Sequence, residues 1–381
     1  MNPAWVQNRS PISHHLTPSQ LCAKNSWAPL MTHTRAALCK ALSSMTISSG
    51  KRSLQEQVVA PGSRSTATAA SQMDSSETKL GATVASRVPQ IVIGNPEELE
   101  RKKRAIKAAG LSSLQVIADF DMTLTKYMVN GTRGQSTHAL LNQGNAEYDL
   151  KRQQLFDHYY PLETCPTIPV EQKTKLMEEW WGKTHNLLVE GGLTFKAIQT
   201  SVANAVIGFR SGVVELLEIL EAKSVPVLIF SAGLADIIEE VMRQKLHRSF
   251  KNIRVVSNRM NFDGDGNLLG FKGKLIHVLN KNEHSLEMAA PLHDDQGHEV
   301  VNNAKNGYSL VRDRRNVILL GDHIGDLGMS DGVDYDNRIT IGFLNENINS
   351  WLSTYTTAFD IVVLNDGAMT SVVDLIQELS R

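Results

Sequence analysis

Two carboxylates stand two residues apart at the end of an apolar stretch. Residues 114–118 are followed by Asp119 and Asp121, with Phe120 between them. In extended backbone the side chains of alternate residues point the same way, so both carboxylates lie on one side. One of them can attack phosphorus, while the other protonates the leaving oxygen and later deprotonates a water molecule. The spacing therefore predicts phosphoryl transfer through an aspartyl phosphate on Asp119, with Asp121 as acid and base.

A second pair of acids follows another apolar run. Asp322 and Asp326 come after residues 317–320, together with glycines that permit a tight turn. A phosphate dianion would be repelled by carboxylates alone, and Mg²⁺ is the divalent cation that most naturally takes oxygen ligands. We therefore expect Asp322 and Asp326 to complete a magnesium site that begins at Asp119.

The phosphate also needs hydrogen-bond donors and a positive charge. Ser231 follows the apolar run 227–230, and with the two residues after it offers a hydroxyl and backbone N–H groups at a predicted strand-to-helix turn. Lys281 is the predicted ammonium group, and its charge would lower the pKa of the nucleophile. Lys272 and Lys274 are the competing lysines, which we expect on a surface hairpin.

The pattern around these residues predicts an α/β fold. Short apolar runs rich in Val and Ile are typical of buried parallel strands, and helical patterns lie between most of them. This alternation indicates a doubly wound parallel sheet, whose ligands bind at the carboxyl ends of the strands. The predicted strands are residues 114–118, 225–230, 253–257, 317–320, 339–343 and 361–364. The main predicted helices are residues 99–109, 213–222, 235–246 and 369–379.

One segment interrupts the alternation. Roughly a hundred residues between the first two strands have helical patterns, including residues 170–189 and 194–206. We interpret this segment as an inserted helical cap at residues 129–211, which would recognise the substrate. The catalytic core is then expected at residues 93–128 and 212–381.

The amino-terminal segment differs in composition from the rest of the chain. Residues 1–93 contain nine Lys and Arg residues but three Asp and Glu residues, and they are rich in Ser, Thr and Ala. This composition resembles that of an organellar transit peptide, and a disordered tail is the equal alternative. We expect residues 1–92 to be one or the other. The predicted location is the cytoplasm, or a chloroplast or mitochondrion if the segment is a transit peptide.

Composition argues against several classes of protein. An apolar run of the ~18 residues needed to span a membrane does not occur in the sequence. The three cysteines, Cys22, Cys39 and Cys165, offer neither a disulfide framework nor a CxxC metal pair. The sequence also lacks a Walker loop, a dinucleotide-binding fingerprint and a basic stripe interleaved with aromatic residues. We therefore expect a small-molecule substrate, and neither a membrane nor a nucleic acid as partner.

Taken in order, the candidate residues match a known pattern. A DxDxT motif at residues 119–123 precedes Ser231, then Lys281, and then a GDxxxD motif at residues 321–326. This order resembles the haloacid dehalogenase-like superfamily. The resemblance implies a Rossmann-like core with an inserted cap, and a magnesium-dependent phosphatase with an aspartate nucleophile.

A narrower resemblance, to the cytosolic 5'-nucleotidase III (pyrimidine 5'-nucleotidase) family, covers roughly residues 95–380. It is carried by residues 118–125, 159–163, 177–188, 230–233 and 270–281. The resemblance implies hydrolysis of a nucleoside 5'-monophosphate to nucleoside and phosphate. It also implies that Mg²⁺ is held by Asp119, Asp322 and the backbone carbonyl of Asp121. The sequence departs from the family at His323 and in the longer stretch 284–315, which we expect to be a solvated loop.

The same resemblance implies roles for residues of the cap. Glu163 takes the place of the acid that recognises the substrate, and Thr184 that of a cap hydroxyl, while Ser231, Ala232 and Lys281 match the phosphate contacts. Trp181, one helical turn before Thr184, could stack on a nucleobase, and a cationic base such as 7-methylguanine would gain ~1–2 kcal/mol. The alternative is that Trp181 simply belongs to the apolar face of a cap helix.

Two other functions remain open at this stage. The same aspartyl phosphate chemistry could act on phosphoserine or a sugar phosphate, or transfer the phosphoryl group to an alcohol. A fold of this type could also serve as a non-catalytic phosphate-binding scaffold, because fold does not imply function. The leading hypothesis is a nucleotidase for pyrimidine or 7-methylguanosine monophosphates. The sequence gives no indication of the oligomeric state.

Overall fold

A nine-stranded sheet lies at the centre of the part of the chain that the structure describes. The structure is a computed structural model that describes residues 90–163, 165, 167–282, 290–291 and 313–381. The described residues belong to one compact unit, Pro89–Arg381. The predicted extension 1–92 and the predicted loop 284–315 therefore lie largely outside the described residues.

The strand order along the sheet is β1-β11-β10-β9-β2-β5-β6-β7, with β8 paired to β6. The strands from β11 to β6 in this order are parallel to their neighbours, while β1, β7 and β8 pair in the antiparallel sense. The bounds are β1 (Ile91–Ile93), β2 (Leu114–Ala118), β5 (Val227–Leu234), β6 (Ile253–Phe262), β7 (Leu268–Lys272), β8 (Ala290–Pro291), β9 (Asn316–Gly321), β10 (Asn337–Leu344) and β11 (Ile361–Leu364). A separate small sheet pairs β3 (Met128–Val129) with β4 (Thr132–Arg133).

The central strands are buried on both faces, as their unbroken apolar runs predict. Side chains of β2 alternate between two apolar clusters: Val116 and Ala118 belong to the larger one, whereas Ile117 faces the other side with Leu228 and Leu319. Helices cover both faces, which confirms the doubly wound α/β fold. The helices are α1 (Pro96–Ala109), α2 (Ala146–Glu163), α3 (Val170–Glu190), α4 (Phe195–Asn204), α5 (Val213–Ala222), α6 (Ala235–Leu246), α7 (Ile348–Ala358) and α8 (Thr370–Leu379).

The helical insertion between β2 and β5 has two parts. The long helices α2 and α3 pack against each other around an aromatic cluster that includes Tyr159, Trp180 and Trp181. The shorter α4 instead packs on α6, with Ile198 and Val202 buried in the main core. One helix of the range 129–211 therefore contributes to the packing of the sheet layer rather than to the aromatic cluster.

A hairpin joins β6 to β7, as the sequence predicts. Asp263 closes its turn by accepting hydrogen bonds from the backbone N–H groups of Asp265 and Asn267. Lys272 and Lys274 are exposed at the end of this hairpin, and neither lines the cavity that the acids line. The sheet itself begins at Ile91, two residues before the expected start of the core. Among the described helices, none is long and apolar enough to cross a membrane.

Candidate active site

The predicted acids meet because three neighbouring strands end at the same edge of the sheet. Strand β2 lies between β9 and β5 and runs parallel to both. Asp119 follows β2, Asp322 follows β9, and Ser231 lies near the carboxyl end of β5. Open α/β sheets bind ligands at this edge.

Lys281 is buried between two of the acids. Its Nζ atom donates hydrogen bonds to Asp119 Oδ1 at 2.6 Å and to Asp326 Oδ1 at 2.7 Å. Burial alone would lower the pKa of Lys281, but the two carboxylates outweigh burial and raise that pKa above its ordinary value. The side chain is therefore a fixed positive charge beside the predicted nucleophile.

The segment before Lys281 is anchored by one buried amide. Asn258 Nδ2 donates to the carbonyl oxygens of Ala232, Gly233 and Ile276, and Asn258 Oδ1 accepts a hydrogen bond from Ile276 N–H. This side chain joins the phosphate-binding part of β5 to the segment that leads to Lys281. Sequence reasoning did not single out Asn258.

Burial disfavours the ionised form of these acids. Burial raises the pKa of Asp119 to about 7, although Lys281 opposes this shift. Burial also raises the pKa of Asp121 to about 6, and burial together with the charge of Asp119 raises the pKa of Asp322 well above its usual range. Within the described residues, Lys281 is the cation that contacts this group, so a further positive charge would be stabilised here.

Three of the acids are close enough to share a metal ion. Carboxylate oxygens of Asp119, Asp322 and Asp326 lie within 4.8 Å of one another. Carboxylate oxygens are the donors that Mg²⁺ prefers, and the excess negative charge at the site fits a divalent cation. The Asp121 side chain is engaged elsewhere, because Thr137 donates to it through both its backbone N–H and its hydroxyl.

The turn after Asp119 is held by an arginine that the sequence analysis missed. Met122 adopts a left-handed φ of 62°, which is uncommon for a residue with a side chain. Arg210, which is buried, donates to the carbonyl oxygens of Met122 at 2.6 Å and Thr123 at 2.9 Å, and it pairs with Asp366 at 2.9 Å. The arginine thus fixes the loop on which Asp121 stands.

Ser231 lies within β5, three residues before the strand ends, rather than at a turn after it. Its Oγ accepts a hydrogen bond from Gly233 N–H at 3.0 Å, and it lines the same cavity as Ala232. The sequence analysis placed the strand-to-helix turn at Ser231, and this was wrong, because the strand continues for three more residues. Strand β5 also buries the small residues that follow the apolar run, and so it is longer than predicted.

One cavity of about 660 Å³ brings the predicted residues together. The acids, Ser231 and Ala232 come from the sheet edge, and Lys281 comes from the segment after β7. The other predicted residues, Glu163, Trp181 and Thr184, come from helices α2 and α3. The predicted residues that line the cavity are Asp119, Asp121, Glu163, Trp181, Thr184, Ser231, Ala232, Lys281, Asp322 and Asp326. His138, Phe156 and Trp180 also line it and were not singled out from the sequence.

The cap side of the cavity carries groups suited to a polar, aromatic ligand. Burial raises the pKa of Glu163, the last residue of α2, to about 7. The Oγ1 atom of Thr184 is buried and has no hydrogen-bond partner among the described residues. Trp181 is 9% exposed, with its indole edge-on to Trp180 at 4.7 Å and to His138 at 5.8 Å.

Comparison with known proteins places the chain among 5'-nucleotidases. A family model described as "Pyrimidine 5'-nucleotidase (UMPH-1)" matches residues 122–380. A 7-methylguanosine phosphate-specific 5'-nucleotidase from Gallus gallus is 38% identical over 278 residues, which cover 72% of this chain and 90% of that protein. The protein of the same name from Homo sapiens is 37% identical over 293 residues, covering 76% and 92%.

A solved structure extends the likeness to three dimensions. Cytosolic 5'-nucleotidase IIIB bound to cytidine superposes with a TM-score of 0.66 at 28% identity, covering 77% of this chain and 94% of that one. The resemblance to the 5'-nucleotidase family noted in the sequence is thereby confirmed, and the chain belongs to the pyrimidine 5'-nucleotidase family.

Proposed function

We propose that this chain hydrolyses nucleoside 5'-monophosphates, with Asp119 as the nucleophile and Asp121 as the acid and base. The observation that carries the proposal is the single cavity in which the acids and Lys281 face Glu163, Trp181 and Thr184. Groups suited to phosphorus chemistry and groups suited to a nucleobase thus share one space. The family membership supports the same reaction class.

In the first step an oxygen of Asp119 attacks phosphorus, and the bond from phosphorus to the 5' oxygen breaks. Asp121 gives its proton to that oxygen, and the nucleoside leaves. In the second step water attacks the phosphorus of the aspartyl phosphate, and Asp121 takes the proton that water loses. Phosphate leaves and Asp119 is restored. Lys281 and Ser231 hold the phosphate oxygens throughout.

We propose Mg²⁺ as the cofactor, held by the carboxylates of Asp119, Asp322 and Asp326 and by the backbone carbonyl of Asp121. The support is the spacing of the three carboxylates and the raised pKa values of Asp119 and Asp322. A bound Mg²⁺ neutralises charge on the phosphate and the acids. Lys281 supplies the fixed part of that positive charge.

For the base we propose 7-methylguanosine and pyrimidine monophosphates. Relatives from chicken and human are named as 7-methylguanosine phosphate-specific, and the solved relative is bound to cytidine. Glu163 can accept hydrogen bonds from amino or imino groups of either base, and Thr184 offers a hydroxyl. The face of Trp181 would favour a cationic base by about 1–2 kcal/mol.

We also propose a cytoplasmic location, because the solved relative is named as cytosolic. The transit-peptide alternative depends on the amino-terminal segment, which lies outside the described residues.

The experiment that tests the function is phosphate release by the purified full chain with Mg²⁺. The substrates are UMP, CMP, 7-methyl-GMP, AMP, phosphoserine and glucose 6-phosphate. Preferential release from the first three is expected. Activity confined to phosphoserine or glucose 6-phosphate would overturn the choice of substrate, and no release from any of them would indicate a phosphate-binding scaffold.

A further inference from the structure

Thr137 makes every hydrogen bond that the Asp121 carboxylate accepts within the described residues. Its backbone N–H donates to Asp121 Oδ1 at 3.0 Å and to Oδ2 at 3.1 Å. Its hydroxyl donates to Oδ2 at 2.8 Å. Hydrogen bonds to a charged acceptor are stronger than those between neutral groups, so Thr137 restrains the rotation of this carboxylate.

Thr137 is fully buried and lies within the insertion, between β4 and α2. The residue it contacts, Asp121, belongs to the turn after β2. The proton-transferring group of the sheet edge is therefore oriented by a residue from outside that edge. The contact spans 16 residues of sequence, so it depends on the fold rather than on local geometry.

The hydroxyl of Thr137 also fills a space that Gly233 leaves open. A Cβ atom added to Gly233 would come within 2.1 Å of Thr137 Oγ1, much closer than two such atoms can approach. Gly233 follows Ser231 and Ala232 in β5. The Thr137 hydroxyl thus stands between the Asp121 carboxylate and the phosphate-binding part of β5.

We propose that Thr137 is a positioning residue, which holds the Asp121 carboxyl toward the leaving oxygen of the substrate. This inference rests on the proposed function only in that Asp121 protonates an alkoxide leaving group. Thr137 acts through Asp121 and not on the substrate. Thr137 orients the proton donor. Its loss should therefore slow only those reactions in which the departing oxygen needs a proton.

That condition gives the proposal a distinctive kinetic signature. A nucleoside 5' oxygen leaves as a strongly basic alkoxide unless it is protonated, whereas para-nitrophenolate leaves readily without a proton. The parameter kcat/KM covers the steps up to formation of the aspartyl phosphate. Loss of the Thr137 hydroxyl should therefore lower kcat/KM for an alkyl phosphate and spare kcat/KM for para-nitrophenyl phosphate.

The experiment compares the full-length wild type with Thr137→Val, which is nearly isosteric but lacks the hydroxyl, and Thr137→Ser, which keeps it. Thr132→Ala, at an exposed threonine of β4, is the matched control. For Thr137→Val we expect kcat/KM for the alkyl phosphate to fall roughly tenfold to a hundredfold, as for loss of a hydrogen bond to a charged group. For para-nitrophenyl phosphate the expected fall is less than about threefold. Thr137→Ser should restore the alkyl phosphate activity.

The alkyl phosphate used is whichever of the nucleotides, phosphoserine and glucose 6-phosphate the wild type hydrolyses best. If the wild type does not hydrolyse nucleotides, the proposed substrate class is wrong. That result leaves the test of Thr137 intact, because the variants are compared on an alkyl phosphate that the wild type does hydrolyse. Equal losses on both classes of ester, no loss on either, or no rescue by serine would each overturn the role of Thr137. If Thr137→Val does not fold, Thr137→Ala, which leaves space instead of a methyl group, is measured in its place against the same expectations.

Discussion

The indole Nε1 of Trp181 donates a hydrogen bond to the carbonyl oxygen of Ala232 at 3.0 Å. This bond joins α3 of the insertion to the phosphate-binding part of β5. It fixes the plane of the indole, so the ring is held in one orientation beside the cavity. The two alternatives for Trp181, a packing residue and a base-stacking residue, are compatible in this geometry, because the buried indole still lines the cavity.

We predict that Trp181→Phe raises KM for the preferred nucleotide by about tenfold, because the ring loses its hydrogen bond, worth about 1 kcal/mol, and part of its stacking surface. Steady-state kinetics with 7-methyl-GMP and CMP measure this change. The control is Trp180→Phe, at the neighbouring indole, which should change KM less. An equal rise in both variants would contradict the assignment of the effect to Trp181.

Substitution of Asp119 and of Asp322 should distinguish the role of nucleophile from the role of metal ligand. Asp119→Asn removes the nucleophile, and turnover should fall by roughly a thousandfold or more at any Mg²⁺ concentration. Asp322→Asn should instead raise the Mg²⁺ concentration for half-maximal rate by at least about tenfold. Titration of phosphate release with Mg²⁺ measures both, and the exposed Asp334→Asn is the control. Wild-type rates from Asp119→Asn would refute the mechanism.

Glu163→Gln should weaken substrate binding but stabilise the folded chain. Burial raises the pKa of Glu163 from 4.5 to about 7 in the folded chain. The folded state therefore binds more protons at this group than the unfolded state between these values, and its contribution to stability falls as pH rises through this window. Above this pH window Glu163 is charged in the folded state, and the full cost of burying its carboxylate lowers the stability of the fold.

The glutamine variant removes that cost, so its gain in Tm over wild type should be larger at about pH 8 than at about pH 5. KM for the nucleotide should rise at the higher pH, because the carboxylate acceptor is lost. Thermal melts and kinetics at both pH values check the two effects. A Tm difference that does not depend on pH would show that Glu163 titrates normally.

Arg210→Met is expected to destabilise the fold by about 3–5 kcal/mol, because Asp366 loses its cationic partner and the carbonyl oxygens of Met122 and Thr123 each lose a charged donor. It should also lower kcat, since the turn that carries Asp121 is no longer held. Denaturant unfolding measures the stability. Arg248→Met is the matched control: its partners Glu218 and Glu221 are more exposed, and the loss should be about 0–1 kcal/mol. Similar losses for the two arginines would disprove the anchoring role.

The location can be tested with residues 1–92 alone. If the chain is cytoplasmic, a fluorescent protein fused behind this segment should stay diffuse in the cytoplasm of plant and animal cells. Import into chloroplasts or mitochondria would instead support the transit-peptide interpretation. The same fusion with its Arg and Lys residues replaced by Gln is the control, because import signals of this type depend on basic residues.

The sequence predicted the parts of the site that follow from strands and their ends. Asp119, Asp322 and Lys281 were identified because each stands beside a strong apolar pattern or within a spaced motif. Arg210 and Thr137 were missed because their partners are backbone carbonyls and a carboxylate far away in sequence. Such contacts produce no periodic pattern in the sequence. An arginine or threonine that makes them cannot be distinguished from any other until its partners in the fold are known.

The helices were predicted closely where an apolar face repeats, and the structure gives Val213–Ala222 and Ala235–Leu246 with the predicted bounds. The placement of α4 was not predicted. Its pattern, with Ile198 and Val202 on one face, shows that a face is buried but not which layer buries it. Periodicity determines the face of a helix, and only the fold determines its neighbour.

The anchoring by Asn258 has a consequence for how this chain can vary in evolution. The contacts of Asn258 hold the chain before Lys281, and the salt bridges to Asp119 and Asp326 hold Lys281 itself. Residues inserted after this lysine therefore need not shift the ammonium group. A longer stretch at 284–315 is thus compatible with an unchanged position of Lys281 beside Asp119 and Asp326.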